Sequence, residues 1–194
     1  SHPEWLVRLL SEQFGQKLTE RICQADNADT PVSVRVNRMK TTPDEAKAEL
    51  ERAGMTVTPH RAFADILLCT GGDAAATEAF REGRITVQDA ASALAAFVAD
   101  PKPGTAVLDC CAAPGGKSFA MAEKMQGKGS LTSCDIYEHK LKRIQEGAAR
   151  LGLPNIRTEL QDASAFRAEW AESADTVLCD VPCSGDGTLV RAAP

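Results

Sequence analysis

The chain is poor in aromatic side chains and histidine: of 194 residues, 5% are Phe, Trp or Tyr, and three are His. His2, His60 and His139 are scattered, and no Cys-x-x-Cys pair occurs, so the sequence offers no metal-ligating pattern and no metal is expected. No apolar run is long enough to span a bilayer. The opening SHPEWLVRLL lacks the basic start, apolar centre and small-residue cleavage site of a secretory signal. Repeats and low-complexity segments are missing as well. An excess of positive charge is also lacking: 22 basic residues against 27 acidic ones leave a net charge of -5. That argues against a general polyanion-binding surface while leaving room for a local basic patch. The cysteines number seven, an odd count, and Cys110 and Cys111 are adjacent. No disulfide framework follows from this; reduced thiols in a cytoplasmic protein are expected.

What is present is ordinary globular composition, 43% hydrophobic and 25% charged, in a chain long enough to bury a core. HPEWLVRLLSEQFGQKLTERI carries Trp5, Leu6, Leu9, Leu10, Phe14, Leu18 and Ile22 near helical spacing, which predicts one or two helices with a buried stripe. In PVSVRVN, Val32, Val34 and Val36 alternate with Ser33, Arg35 and Asn37, the pattern of a half-buried strand. TTPDEAKAELERAG holds a helix start, with Thr42 as N-cap, Pro43 in the first turn and Glu45 three residues after the cap; Gly54 is the stop. MTVTPH and DILLCT are further strands. These elements form a small α/β unit over residues 1–83, N-terminal helices included, and a second region spans 84–194.

That second region opens with ITVQDAASALAAFVAD, a short strand and an Ala-rich helix closed by PKPG. Four apolar runs follow, TAVLDC, SLTSCD, NIRTEL and DTVLCD, separated by helical or irregular segments. EHKLKRIQEGAARLG places Leu141, Ile144, Ala148 and Leu151 on one face and stops at Gly152. Strands alternating with helices predict a parallel, Rossmann-like α/β sheet with helices on both faces. Ligands of such sheets bind at the carboxyl ends of the strands, where this sequence carries Asp109, Asp135 and Asp180.

The loop in VLDCCAAPGGKS follows the first of these strands. Its small residues allow close backbone approach, and the helix after it offers free N–H groups. It has neither the spacing of a Walker phosphate loop nor the dinucleotide G-x-G-x-x-G pattern. Asp135 is placed to accept two ribose hydroxyls, Asp109 suits a cationic amine, and Asp162 in LQDASAF could accept from an adenine amino group. A ribose, an ammonium and a carboxylate together describe S-adenosylmethionine. Any one of these acids could equally cap a turn; the ordered set is what favours a ligand.

VLDCCAAPGGKS together with CDVPCSGDG resembles the Sun/Fmu type of RNA cytosine methyltransferases, which make 5-methylcytosine in ribosomal RNA. HPEWLV, VRVNRMKTT, GRITVQDAAS and RLGLPNI resemble the same family in the same order. The resemblance implies an S-adenosylmethionine-dependent methyltransferase sheet, incomplete with strands ordered 3-2-1-4, preceded by a small RNA-contacting subdomain. It implies cofactor contacts at Cys111, Ala112, Ala113, Pro114, Gly115, Gly116, Lys117, Asp135, Asp162 and Asp180, and small-subunit ribosomal RNA as partner.

Carbon five of cytosine is too weak a nucleophile to take a methyl group unaided. A thiolate adding to carbon six activates it, an acid near the ring nitrogen assists, and a base later removes the extra proton. Asp180 and Cys183 supply an acid and a thiol after the fourth strand. By resemblance Cys183 assists product release, and the attacking thiol belongs to a Thr-Cys-Ser segment that these 194 residues lack; in DNA-modifying relatives the Pro-Cys thiol is itself the nucleophile. A small buried apolar residue is the bland alternative for Cys183. Arg35, Arg38 and Lys40 are candidate phosphate contacts, or a solvated basic edge. Arg191 joins them by resemblance, although LVRAAP departs from the family's usual Arg-Arg followed by Pro-Asp. The expectation is a fragment of a longer polypeptide, inactive alone, whose strand DTVLCD is left bare on one side. Two alternatives are a non-catalytic RNA-binding module of the same fold and a nucleotide-binding oxidoreductase.

Overall fold

A computed structural model describes residues 2–27 and 30–182. The chain divides into two compact units, one built on the N-terminal helices and one comprising Pro31–Val181. The first contains α1 (Glu4–Phe14) and α2 (Gln16–Asp26), separated by Gly15 at φ +74°. Leu6 and Thr19 are buried there, while Trp5, Leu9, Phe14 and Leu18 are exposed. The buried stripe expected from the sequence is therefore largely an exposed one.

The larger unit begins with an antiparallel sheet ordered β2-β3-β1-β4, formed by β1 (Val32–Val36), β2 (Thr56–Pro59), β3 (Ile66–Thr70) and β4 (Ile85–Val87). Helix α3 (Pro43–Arg52) starts with the predicted capping box: Thr42 Oγ1 accepts from the Glu45 amide and Glu45 Oε2 accepts from the Thr42 amide. Val34, Val36, Leu50, Val57, Leu67 and Ile85 form the core beneath α3 and α4 (Glu78–Arg81).

The opposite side of β1 is not solvated. Arg35 is 2% exposed and Asn37 1% exposed, so β1 is covered on both faces rather than half-buried. The covering comes from the second sheet's helices. Asn37 Nδ2 donates to the carbonyls of Gly83 and Leu151, at 2.9 and 3.0 Å, while its Oδ1 accepts from the Met39 amide. Lys40 Nζ donates to the Glu82 and Arg150 carbonyls, both at 2.8 Å. Arg150 reaches back to the Phe80 and Ile85 carbonyls and the Thr86 hydroxyl.

The second sheet is parallel, ordered β7-β6-β5-β8, from β5 (Ala106–Asp109), β6 (Ser130–Asp135), β7 (Ile156–Leu160) and β8 (Thr176–Leu178). This is the expected 3-2-1-4 arrangement. One face is covered by α5 (Ala90–Ala99), α6 (Gly116–Lys124) and α7 (Glu138–Leu151), with Val107, Met121, Met125, Leu131, Ile144 and Leu151 at the core. Asp89 caps α5 through the Ala91 and Ser92 amides, and α7 stops at Gly152 with φ +75°. Helices on both faces were expected. Among the described residues the other face instead carries the irregular stretch 161–171, whose Phe166 and Trp170 overhang a hollow of about 210 Å³ above Leu108, Cys110 and Cys134. Also among the described residues, β8 pairs with β5 alone and Val177 is 58% exposed, which is the bare edge anticipated from the sequence. No helix of the described residues is long and apolar enough to cross a membrane.

Asn37→Ala should lower the unfolding free energy by roughly 2–3 kcal/mol, because buried carbonyls and an amide lose their partner. Urea unfolding of parent and variant measures this, and Asn37→Asp should not restore the loss, since a carboxylate cannot donate to those carbonyls.

Candidate functional site

The parallel register sets where the acids arrive. Asp109 lies opposite Ser133 on β6 and Leu178 on β8, and Asp135 lies opposite Leu160 on β7, so all four strands deliver their carboxyl ends to one edge. The connection after β5 is tied to both neighbours: the Cys110 amide donates to the Leu178 carbonyl at 2.9 Å and the Ala112 amide to the Cys134 carbonyl at 2.8 Å. Its remaining turn is closed by the Gly115 amide donating to the Ala112 carbonyl, and the Ala113–Pro114 peptide is cis.

Gly115 and Gly116 are small for packing reasons that the sequence did not show. Gly115 has φ +108°, and a Cβ there would lie 2.4 Å from Phe119 Cζ. Gly147 on α7 meets the same ring carbon at 2.4 Å, so Phe119 fills a slot between two glycines. A Cβ on Gly116 would come within 3.3 Å of Gln88 Nε2. Helix α6 starts after this turn without a side-chain cap, which leaves its first N–H groups as donors at the edge of the site.

Asp109 is 1% exposed. It accepts from Ser118 Oγ at 2.6 Å, and Ser118 Oγ in turn accepts from Ser133 Oγ at 2.8 Å. Burial pushes its carboxyl up to about 6; the Ser118 hydroxyl, the Lys117 charge and the Cys111 amide pull the other way. Asp109 is thus an interior anchor for the turn rather than an open cation site. The Ser118 and Ser133 partners were missed, although the Ser of GGKS falls two positions after Gly116.

Asp135, 8% exposed, accepts from the Tyr137 amide through Oδ1 and has Lys140 Nζ at 3.7 Å from the same oxygen. Among the described residues its Oδ2 accepts no hydrogen bond. Asp162 is exposed; its Oδ1 is held by the Ser164 hydroxyl and amide, which lower its pKa. Asp180 is bound to Lys117, with Nζ to Oδ2 at 2.5 Å. That pair crosses from the start of α6 to the end of β8.

Cys111 marks the middle of this arrangement. Burial raises its pKa first, then the charges of Cys179, Asp109, Asp135 and Asp180, so one thiol feels carboxylates from three strand ends. The loop Cys111–Lys117 and Asp109, Asp135 and Asp180 are brought together at one edge. Asp162 follows β7 on that edge, joined through the Gln161 amide to the Asp135 carbonyl. The acceptor set fits a ligand with hydroxyl and amino hydrogens to give: acid oxygens without a hydrogen bond at Asp135 and Asp162 lie along the same strand-end edge as the uncapped start of α6. Among the described residues no three His, Cys, Asp or Glu side chains are grouped to hold a metal. Cys183 and Arg191 lie outside the described residues.

The basic candidates are dispersed by the fold. Arg35 does not fit an RNA-contacting role: it is buried, donates to Gln88 Oε1 at 2.6 Å and pairs with Glu123 on α6. Its position in an alternating strand pointed outward only on the assumption that one face of β1 was wet. Burial raises the Glu123 carboxyl while Arg35 opposes the rise. Lys40 is exposed but its ammonium is committed to two carbonyls. Arg38, with a side chain 53% exposed and Asp65 at 3.6 Å, is the one of the three open to a phosphate.

Comparison with known proteins gives a consistent picture. A family model described as 16S rRNA methyltransferase RsmB/F matches residues 96–193, and a second, an RsmF/B-like ferredoxin-like domain, matches residues 2–72. The probable ribosomal RNA small subunit methyltransferase B of Bacillus subtilis (strain 168) is 41% identical over 192 residues, covering 98% of this chain and 43% of the relative. The chain therefore spans less than half the length of that protein. The crystal structure of PH0851 superposes with a TM-score of 0.87 at 36% identity, over 97% of this chain and 43% of the other. A methyltransferase homologue from Pyrococcus horikoshii gives 0.76 at 27% identity, over 91% and 58%.

The buried Asp109 carries a pH signature. Its folded pKa of about 6 stands above the ordinary 3.8, so the folded state holds the proton more tightly. Stability therefore falls as pH rises through this window and levels off above it, by at most about 1.4 kcal/mol per pH unit from one group. Unfolding free energies measured from pH 4 to 7 should show that decline in the parent, and Asp109→Asn should flatten it.

Proposed function

Because the chain belongs to the RsmB/F family of 16S rRNA methyltransferases, we propose that the edge formed by β5, β6, β7 and β8 binds S-adenosylmethionine for methylation of small-subunit ribosomal RNA at carbon five of a cytosine. The observation that carries this reading is the convergence of Asp109, Asp135 and Asp180 on Cys111 beside the uncapped start of α6.

When bound, S-adenosylmethionine supplies an electrophilic methyl group on a sulfonium. Asp135 has a free oxygen for ribose hydroxyls, and Asp162, whose Oδ1 is held by Ser164, has its other oxygen for the adenine amino group. The amides of Gly116, Lys117 and Ser118 are donors for a carboxylate, which the positive end of the helix favours. Asp109, locked by Ser118 and Ser133, holds the turn in shape. Lys117 donates to Asp180, the acid proposed to face the base ring, and Cys183 follows three residues later in sequence. Its thiol is assigned to product release.

The RNA-facing role falls to Arg38, while Arg35 and Lys40 hold the two sheets together. Phosphate contacts of this kind position the RNA without selecting its sequence. The 194 residues contain no Thr-Cys-Ser segment, so they are assigned cofactor binding without turnover by themselves.

Calorimetric titration of the chain with S-adenosylmethionine tests the reading. Saturable binding is expected, weakened about tenfold or more by Asp135→Ala, the loss of charge-assisted hydrogen bonds. Absence of binding, equal affinity of the variant, or preference for NAD would overturn it.

A further inference from the structure

Three cysteines stand side by side across the parallel sheet. Asp109 is opposite Ser133 on β6 and Leu178 on β8, so the next position in each strand brings Cys134, Cys110 and Cys179 to one level. The Cys110 amide donates to the Leu178 carbonyl at 2.9 Å, which carries the ladder through that level. Neighbouring residues in register project to the same face. Here that is the face away from the helices, where Cys110 and Cys134 line the hollow beneath Trp170. The Cys110 and Cys179 thiols are close enough that each one's charge bears on the other. All three thiols are free.

The members of this row differ in access. Cys134 is 1% exposed, Cys110 is half-buried and Cys179 is exposed. Strands in a sheet lie about 4.8 Å apart, inside the Cα separation of about 4.4–6.8 Å that a disulfide spans. We propose that Cys110 and Cys179 form a reversible disulfide that ties β8 to β5 under peroxide. The Cys179 thiol, which solvent reaches, attacks one peroxide oxygen; water departs and a sulfenic acid remains. Cys110 Sγ then attacks Cys179 Sγ and a second water leaves. Two thiols lose two protons and two electrons, and one peroxide takes them up to become two waters. A dithiol reductant reverses the reaction by exchange.

Burial raises the Cys110 pKa to about 11, so its proton must leave as its sulfur attacks, and the bridge should close faster as pH rises. The bridge would act at a sensitive place. Cys179 precedes Asp180, the partner of Lys117, and Cys110 precedes the turn at Cys111–Gly115. Among the described residues β8 has a single strand neighbour, so a covalent tie to β5 replaces a weakly held edge by a fixed one. The inference stands apart from the cofactor reading, since it needs only the register and the thiols.

The test is peroxide treatment of the purified chain, alkylation of remaining thiols and non-reducing digestion with mass spectrometry. Expected are a loss of two hydrogen masses, a peptide joining Cys110 to Cys179, and its disappearance with dithiothreitol. The oxidised chain should melt several degrees higher, and its amides at Val177–Cys179 should exchange more slowly. Cys179→Ala, at an exposed position, should abolish the cross-link, and Cys134→Ala should leave it intact. A bridge through Cys111, Cys134 or Cys183 instead, or oxidation of both thiols to sulfinic acids without a cross-link, would overturn the proposal.

Discussion

The buried polar seam between the two sheets is the constraint on which the site rests. Arg35 on β1 reaches Glu123 near the end of α6, while Gln88, which accepts from Arg35 Nε, abuts Gly116 at the beginning of the same helix. One central strand thereby grips α6 at both ends. Asn37, Lys40 and Arg150 fasten the end of α7 to the antiparallel sheet in the same way. Burying an arginine and a glutamate costs desolvation, and breaking either partner leaves an uncompensated group inside. The seam is therefore specific before it is strong: it fixes where α6 begins, and the turn that feeds the site ends there.

That view changes what the glycine-rich turn does. From sequence, its small residues suggest close approach of backbone to ligand. In the structure Gly115 and Gly116 are hemmed in by Phe119 and Gln88 from inside the protein, so their first requirement is internal fit. In the proposed site, ligand binding then rests on the amides at the start of α6 and on the acids of the neighbouring strands. Asp109 illustrates the division. Its Oδ2 accepts from Ser118 and its Oδ1 is sealed in the interior, whereas Asp135 and Asp162 keep an oxygen without a hydrogen bond nearer the surface.

Much of this architecture was legible in the residues. The capping box at Thr42, the apolar face of α7 with its stop at Gly152, and the four strand runs are local signals, each set by a period or a turn residue. The order of the parallel strands came with the resemblance. What was not legible is what depends on a partner distant in sequence. Arg35 read as outward because alternation reports a period and not which faces are covered. Ser133, Gln88 and Glu123 carry no motif; only the fold gives them partners. Trp5, Leu9 and Phe14 were read as a buried stripe, yet helical spacing alone does not supply a surface for it to meet.

The aromatic ring of Phe119 links positions 115 and 147 into a single size constraint. A glycine within α7 weakens that helix by roughly 1 kcal/mol relative to alanine, yet the larger residue would strike the ring. Adding a methyl at Gly147 is therefore harmful against phenylalanine and tolerable against a smaller residue at 119, whereas Gly115 is also held to glycine by its φ of +108°. The residue allowed at position 147 on α7 is thus bound to the one chosen at position 119, almost thirty residues earlier, with no ligand involved.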